Sequence, residues 1–133
     1  MNISSIDHIC IAVKELQSAG EFFKNCFGLK ISHVEEVPEQ GVKVASIEID
    51  SITIELIQPL DKSSNLNKFL DKHGPGPHHI AFKVDDIEKS LEELKNSGVK
   101  LIDEIPRTGA HGKKIAFVRP SKSTGTLIEL CEE

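Results

Sequence analysis

Ile6-Asp7-His8-Ile9-Cys10-Ile11-Ala12-Val13 returns 71 positions later as Pro77-His78-His79-Ile80-Ala81-Phe82-Lys83-Val84. The first stretch is rich in β-branched residues and too short for a typical helix, so it reads as a strand, and its counterpart reads as one over His79 to Val84. Working outward, Gly28-Leu29-Lys30-Ile31 lies over Gly98-Val99-Lys100-Leu101 at an offset of 70. Ile54-Glu55-Leu56 lies over Ile128-Glu129-Leu130 at an offset of 74. Three anchors in one order, at nearly equal offsets, mark an internal duplication.

The segments between the anchors agree. Leu16, Ala19, Phe22, Phe23 and Phe27 recur at helical spacing over Lys14 to Phe27, and Gly28 is placed to end that helix. Leu29 to Glu35, Gly41 to Ile49 and Ser51 to Gln58 read as strands. A polar connection with Leu66, Phe69 and Leu70 follows, broken by Gly74-Pro75-Gly76-Pro77. The second half repeats the order. A strand at His79 to Val84 precedes a helix capped by Asp86, striped by Ile87, Leu91 and Leu94, and ended at Gly98. Val99 to Ile105, Lys114 to Arg119 and Gly125 to Cys131 read as the remaining strands. The expectation is an α+β domain over 1–133, with β-α-β-β-β halves at 4–60 and 76–132 connected by 61–75. Paired modules of this kind predict curved mixed sheets around a cleft.

Composition narrows the function. A chain of 133 residues with 38% hydrophobic and 28% charged residues is ordinary globular chemistry for one domain. A net charge of −5 argues against nucleic acid or an anionic membrane as a general partner. No apolar run approaches the roughly 20 residues that span a bilayer. The start, MNISSIDHICIAV, lacks the pattern of a signal peptide. Cys10, Cys26 and Cys131 are odd in number and contain no CxxC pair, which disfavours a disulfide framework or a thiolate zinc site. A cytoplasmic location is expected.

The repeat anchors carry His8, Glu55, His79 and Glu129, two imidazoles and two carboxylates at matched positions. Strand alternation puts His8, Cys10 and Ala12 on the face opposite Ile9, Ile11 and Val13. The same rule separates His79 and Ala81 from Ile80 and Phe82, Glu55 from Ile54 and Leu56, and Glu129 from Ile128 and Leu130. Small neighbours suggest open space beside the histidines. Such an N₂O₂ set suits Mn, Co, Ni, Zn or Fe(II) with open positions for chemistry. Alternation sends His78 to the other face, and His33 and His73 read as surface residues. Cys10 reads as a small filler. His111, in the loop Thr108-Gly109-Ala110-His111-Gly112, could touch a substrate. Ile105 to Ile128 holds no acid but holds Arg107, Lys113, Lys114, Arg119 and Lys122, a positive stretch suited to an anionic substrate tail.

These residues resemble the vicinal-oxygen-chelate (VOC) superfamily of glyoxalases, bleomycin-resistance proteins and dioxygenases, and within it the methylmalonyl-CoA epimerases. IDHICIAV and GPHHIAFKVDDI carry the general likeness, while VPEQGVKVA, PRTGAHGKKIAFVRP and TGTLIELCE are more specific to the epimerases. The resemblance implies a glyoxalase-like fold and a homodimer in which each chain holds its own site. It implies a divalent metal, cobalt first with nickel, manganese or zinc as alternatives, on His8, Glu55, His79 and Glu129. It implies an acyl-CoA substrate and α-proton abstraction with Glu129 as a base. Arg107, His111, Lys113 and Lys114 are candidates to touch the substrate. One departure stands out: Val44 falls where a relative has a second catalytic Glu, so Glu55 becomes the candidate for the second base. Glyoxalase I is the nearest rival, with an extradiol dioxygenase and a metal-free binding protein further off.

Overall fold

Ile3–Ala12 forms β1, and Leu16–Phe27 forms α1 directly after it. The computed structural model describes residues 1–133. The chain continues as β2 (His33–Val37), β3 (Val42–Ile49), β4 (Ile52–Pro59), α2 (Leu66–His73), β5 (Gly76–Val84) and α3 (Ile87–Asn96). It closes with β6 (Arg107–Thr108), β7 (Lys114–Val118) and β8 (Leu127–Glu132). β-α-β-β-β therefore occurs twice, on either side of α2. No helix is long and apolar enough to cross a membrane.

The chain divides into two compact units, Ile9–His78 and Met1–His8 with His79–Glu133. In the first of these, β2, β3 and β4 are antiparallel neighbours. One face of this sheet packs under α1, with Val13, Leu16, Ala45, Ile47 and Leu56 at the core. Gly28, at φ 70°, ends α1 as expected, and its N–H bonds to the Lys24 carbonyl. The Leu29 N–H turns back to the Phe23 carbonyl and so cannot join a ladder. This is why β2 starts at His33 and not at Leu29.

In the other unit, β5 runs parallel to β8, which is antiparallel to β7, and β7 to β6. α3 covers one face through Val84, Ile87, Leu91, Ala116, Val118 and Leu130. Its first turn is capped twice. Asp86 accepts from the Lys89 N–H at 3.0 Å, and Glu132 accepts from the Ile87 N–H at 2.7 Å. The strand expected over Val99 to Ile105 is absent; only a single bridge joins Leu101 to Val118. Two backbone N–H groups, of Ile102 and Asp103, converge on the Phe117 carbonyl, and the Asp103 side chain accepts the Phe117 N–H at 2.8 Å. A side chain thus takes the place of a ladder partner, and the segment leaves the sheet. β6, read as loop from the sequence, is a two-residue strand against β7.

Candidate metal centre

The second face of the β5–β8–β7 sheet, away from α3, is where the chemistry collects. The register sets Glu129 beside Ala81 on β5 and Phe117 on β7. Cys131, Ile115, Phe117 and Leu127 line this face. Alternation forces the arrangement, because Ile128 and Leu130 point to α3 and Glu129 must then point the other way. His79 stands two residues before Ala81, and its ring meets Phe117 edge-on with centroids 5.1 Å apart. His8, near the middle of β1, completes the group.

His8, His79 and Glu129 are 4%, 6% and 3% exposed. His8 Nε2 lies 3.2 Å from His79 Nε2. His79 Nε2 lies 3.1 Å from Glu129 Oε2, and His8 Nε2 lies 3.4 Å from Glu129 Oε1. That last contact is an ion-pair distance and not a hydrogen bond, since Oε1 is buried without any hydrogen-bond partner. The ligand face of this unit is closed off from solvent, with Ala81 fully buried beside the three side chains. Alternation tells which residues share a side but not which side is covered.

The electrostatics show what the group lacks. Burial pushes the Glu129 carboxyl up, but the His79 and His8 imidazoles overcome this and hold it down to about 2. The carboxylate is therefore ionised. Asp7 is held well below the usual carboxylate range: its burial opposes this, and His8 and Lys113 outweigh the burial. An ionised Asp7 can only accept, so the His8 Nδ1–H donates to Asp7 Oδ2 at 2.7 Å. In the neutral ring the lone pair then falls on Nε2, the atom turned toward His79 and Glu129. Two imidazole nitrogens and an ionised carboxylate within 3.4 Å, one oxygen of it unsatisfied, need positive charge among them, which protons on the imidazoles or a bound cation in their place supplies. The three side chains present ligand atoms within 4.8 Å of one another, the donor set of a borderline divalent cation.

Glu55 belongs to the Ile9–His78 unit, where it is buried on β4 opposite Ser46, on the sheet face away from α1. Val44 is buried on that same face. Arg107 sits with its guanidinium carbon 5.4 Å from the Phe117 ring centroid and its Nε 3.4 Å from Asp103. His111 is exposed at φ 61° in the turn Ala110–Gly112. Lys113 bonds Asp7 Oδ1 at 2.9 Å. Lys114 is exposed, 4.0 Å from Glu88, and alternation sets it on the α3 side of β7. The acid-free stretch of sequence is thus not acid-free in space, because Asp103, Asp7 and Glu88 fold against its cations. His78 packs on the Phe69 ring, and all three cysteines are unlinked. Asp7 and Phe117 went unread in the sequence. Alternation assigns Asp7 to the opposite face, yet adjacent side chains can still bond along a strand.

Residues 7–117 match the model of the Glyoxalase/Bleomycin resistance protein/Dioxygenase superfamily. The chain is 45% identical to the uncharacterized protein YqjC of Bacillus subtilis over 98% of its own length and 93% of that protein. It is 35% identical to the mitochondrial methylmalonyl-CoA epimerase of Homo sapiens, covering 97% of this chain and 74% of that one. The structure of a singly substituted Streptomyces coelicolor methylmalonyl-CoA epimerase in complex with 2-nitronate-propionyl-CoA superposes with a TM-score of 0.94 at 33% identity, over 99% of this chain and 96% of the other. The glyoxalase-like α+β fold is shared across that whole length. The family match over residues 7–117, the near-complete alignment and the shared fold place this chain in the glyoxalase/bleomycin resistance/dioxygenase superfamily, in its methylmalonyl-CoA epimerase family.

Proposed function

We propose that this chain is a metal-dependent epimerase that interconverts (R)- and (S)-methylmalonyl-CoA by removing and returning the α-proton. The observation that carries the metal is the unsatisfied, buried Glu129 Oε1 facing two imidazole nitrogens. The acyl-CoA substrate class rests on the family and on the acyl-CoA analogue held by the S. coelicolor relative. His8, His79 and Glu129 would hold the ion, with Glu55, the repeat counterpart of Glu129, as fourth ligand. Cobalt is the first choice, then nickel, manganese or zinc. When bound, a divalent ion supplies Lewis-acid stabilisation for the charge that develops on the thioester oxygen.

The chain's own residues do the rest. Glu129, ionised and dry, accepts the α-proton on one side of the substrate. Epimerisation needs a second base on the opposite side, and with Val44 unable to serve, Glu55 takes that role. A carboxylate that both ligates and accepts a proton must loosen from one task to perform the other. Phe117, packed on His79, keeps water from the imidazole. Arg107, beside Phe117, and His111 are the first candidates for the carboxylate and phosphates of the substrate. Lys113 and Lys114 face Asp7 and Glu88 and stand behind them in that role. The unlinked cysteines fit a reducing cytoplasm, and a homodimer follows the family resemblance.

Purified protein should epimerise methylmalonyl-CoA and leave the hemithioacetal of glutathione and methylglyoxal unchanged; the reverse preference assigns it to glyoxalase I. In the same assay Glu55→Gln should keep its metal and lose about 10²-fold or more in α-proton exchange. Full activity in that variant removes Glu55 as a base.

A further inference from the structure

His8 is held from behind by a partly buried ion pair that no part of the proton-transfer scheme uses. Asp7 Oδ2 takes the His8 Nδ1–H at 2.7 Å, and Asp7 Oδ1 takes a hydrogen bond from Lys113 Nζ at 2.9 Å. The Asp7 side chain is 10% exposed and that of Lys113 23%, so water competes weakly for either. Lys113 is reached in turn by Glu133 at 3.7 Å, which also pairs with Lys83 at 3.0 Å. All of these residues belong to the unit that carries His79 and Glu129.

We propose that Asp7 and Lys113 form a positioning pair for the metal centre. Asp7 holds the His8 ring through Nδ1 so that Nε2 is turned to Glu129, and Lys113 holds the Asp7 side chain in place. The physical need is specific. With His8 Nε2 3.2 Å from His79 Nε2, a proton on both atoms would clash, and a proton on His8 Nε2 would block ligation. A carboxylate on Nδ1 also makes the imidazole a stronger donor to a cation. Lys113, with its Nζ on Asp7, then acts on the centre through Asp7 and His8. The proposal rests on the metal reading given above, so its test separates the two.

Three measurements apply to the full chain. Long-range ¹H–¹⁵N correlation on metal-stripped protein reads the His8 tautomer; wild type should show the Nδ1–H form, and Asp7→Asn a mixture or the Nε2–H form. Co(II) titration by visible absorption and competition should show one site in wild type. It should be weakened about 10- to 100-fold in Asp7→Asn with an altered d–d spectrum. Lys113→Met should weaken Co(II) several-fold, and Lys113→Arg should restore it. Thermal unfolding of the stripped variants shows whether each folds; should Asp7→Asn not fold, the Lys113→Met and Lys113→Arg pair decides. Wild type that binds Co(II) beside a folded Asp7→Asn, or Lys113→Met, with unchanged affinity and spectrum overturns the positioning pair and leaves the metal reading standing. Wild type that binds no Co(II) overturns both.

Discussion

Glu129→Gln lowers the rate of α-proton exchange on methylmalonyl-CoA by about 10³-fold or more. Loss of a positioned general base alone costs about 10²- to 10⁴-fold. The substitution also replaces an ionised ligand by a neutral amide at a position 3% exposed to solvent. Gln has the same shape, and its amide can still bond the His79 ring, so the fold persists. The melting temperature of the stripped variant should stay close to that of wild type while both exchange and Co(II) binding collapse. A rate within tenfold of wild type would take Glu129 out of the mechanism. The choice of Glu129 over every other carboxylate rests on its surroundings. The 21 acids of the chain are mostly solvated, whereas this one is buried, ionised and left with an unpaired oxygen.

Stripping the protein with a chelator should abolish exchange by about 10³-fold or more, and stoichiometric Co(II) should restore it. The same addition should raise thermal stability, by about 4 kcal/mol when free Co(II) stands a thousandfold above its Kd. The stripped protein should remain folded. The His79–Glu129 contact at 3.1 Å and the apolar cluster of Ile115, Phe117 and Cys131 already hold this face together. Binding should release protons, because the nitrogens facing Glu129 must give up any they carry. Unchanged exchange after complete removal of metal would exclude the Lewis-acid role, and with it the assignment of His8 and His79.

Much of the fold was legible because the duplication is legible. The Asp86 cap and the Gly28 stop both follow from residue chemistry that acts over one helical turn, and both occur. The failures came where a hydrogen bond from elsewhere took a backbone group out of play. Leu29 is spent on the helix end, and Asp103 replaces a strand partner of Phe117. At the site, alternation was enough to set His8, His79 and Glu129 apart from the bulky aliphatics. It could not say that this side is closed off from solvent, nor that Asp7 reaches back along its own strand to His8. The cationic stretch from Ile105 to Ile128 shows the same limit, since three of its five cations meet acids that lie outside it in sequence. Those acids are Asp7, Glu88 and Asp103.

Diffraction at the cobalt edge from crystals of Co(II)-loaded protein tests the centre most directly. One strong anomalous peak should lie about 2.0–2.3 Å from His8 Nε2, His79 Nε2 and a Glu129 carboxylate oxygen together. A peak bound to other side chains, or one that omits any of these three, contradicts this ligand set.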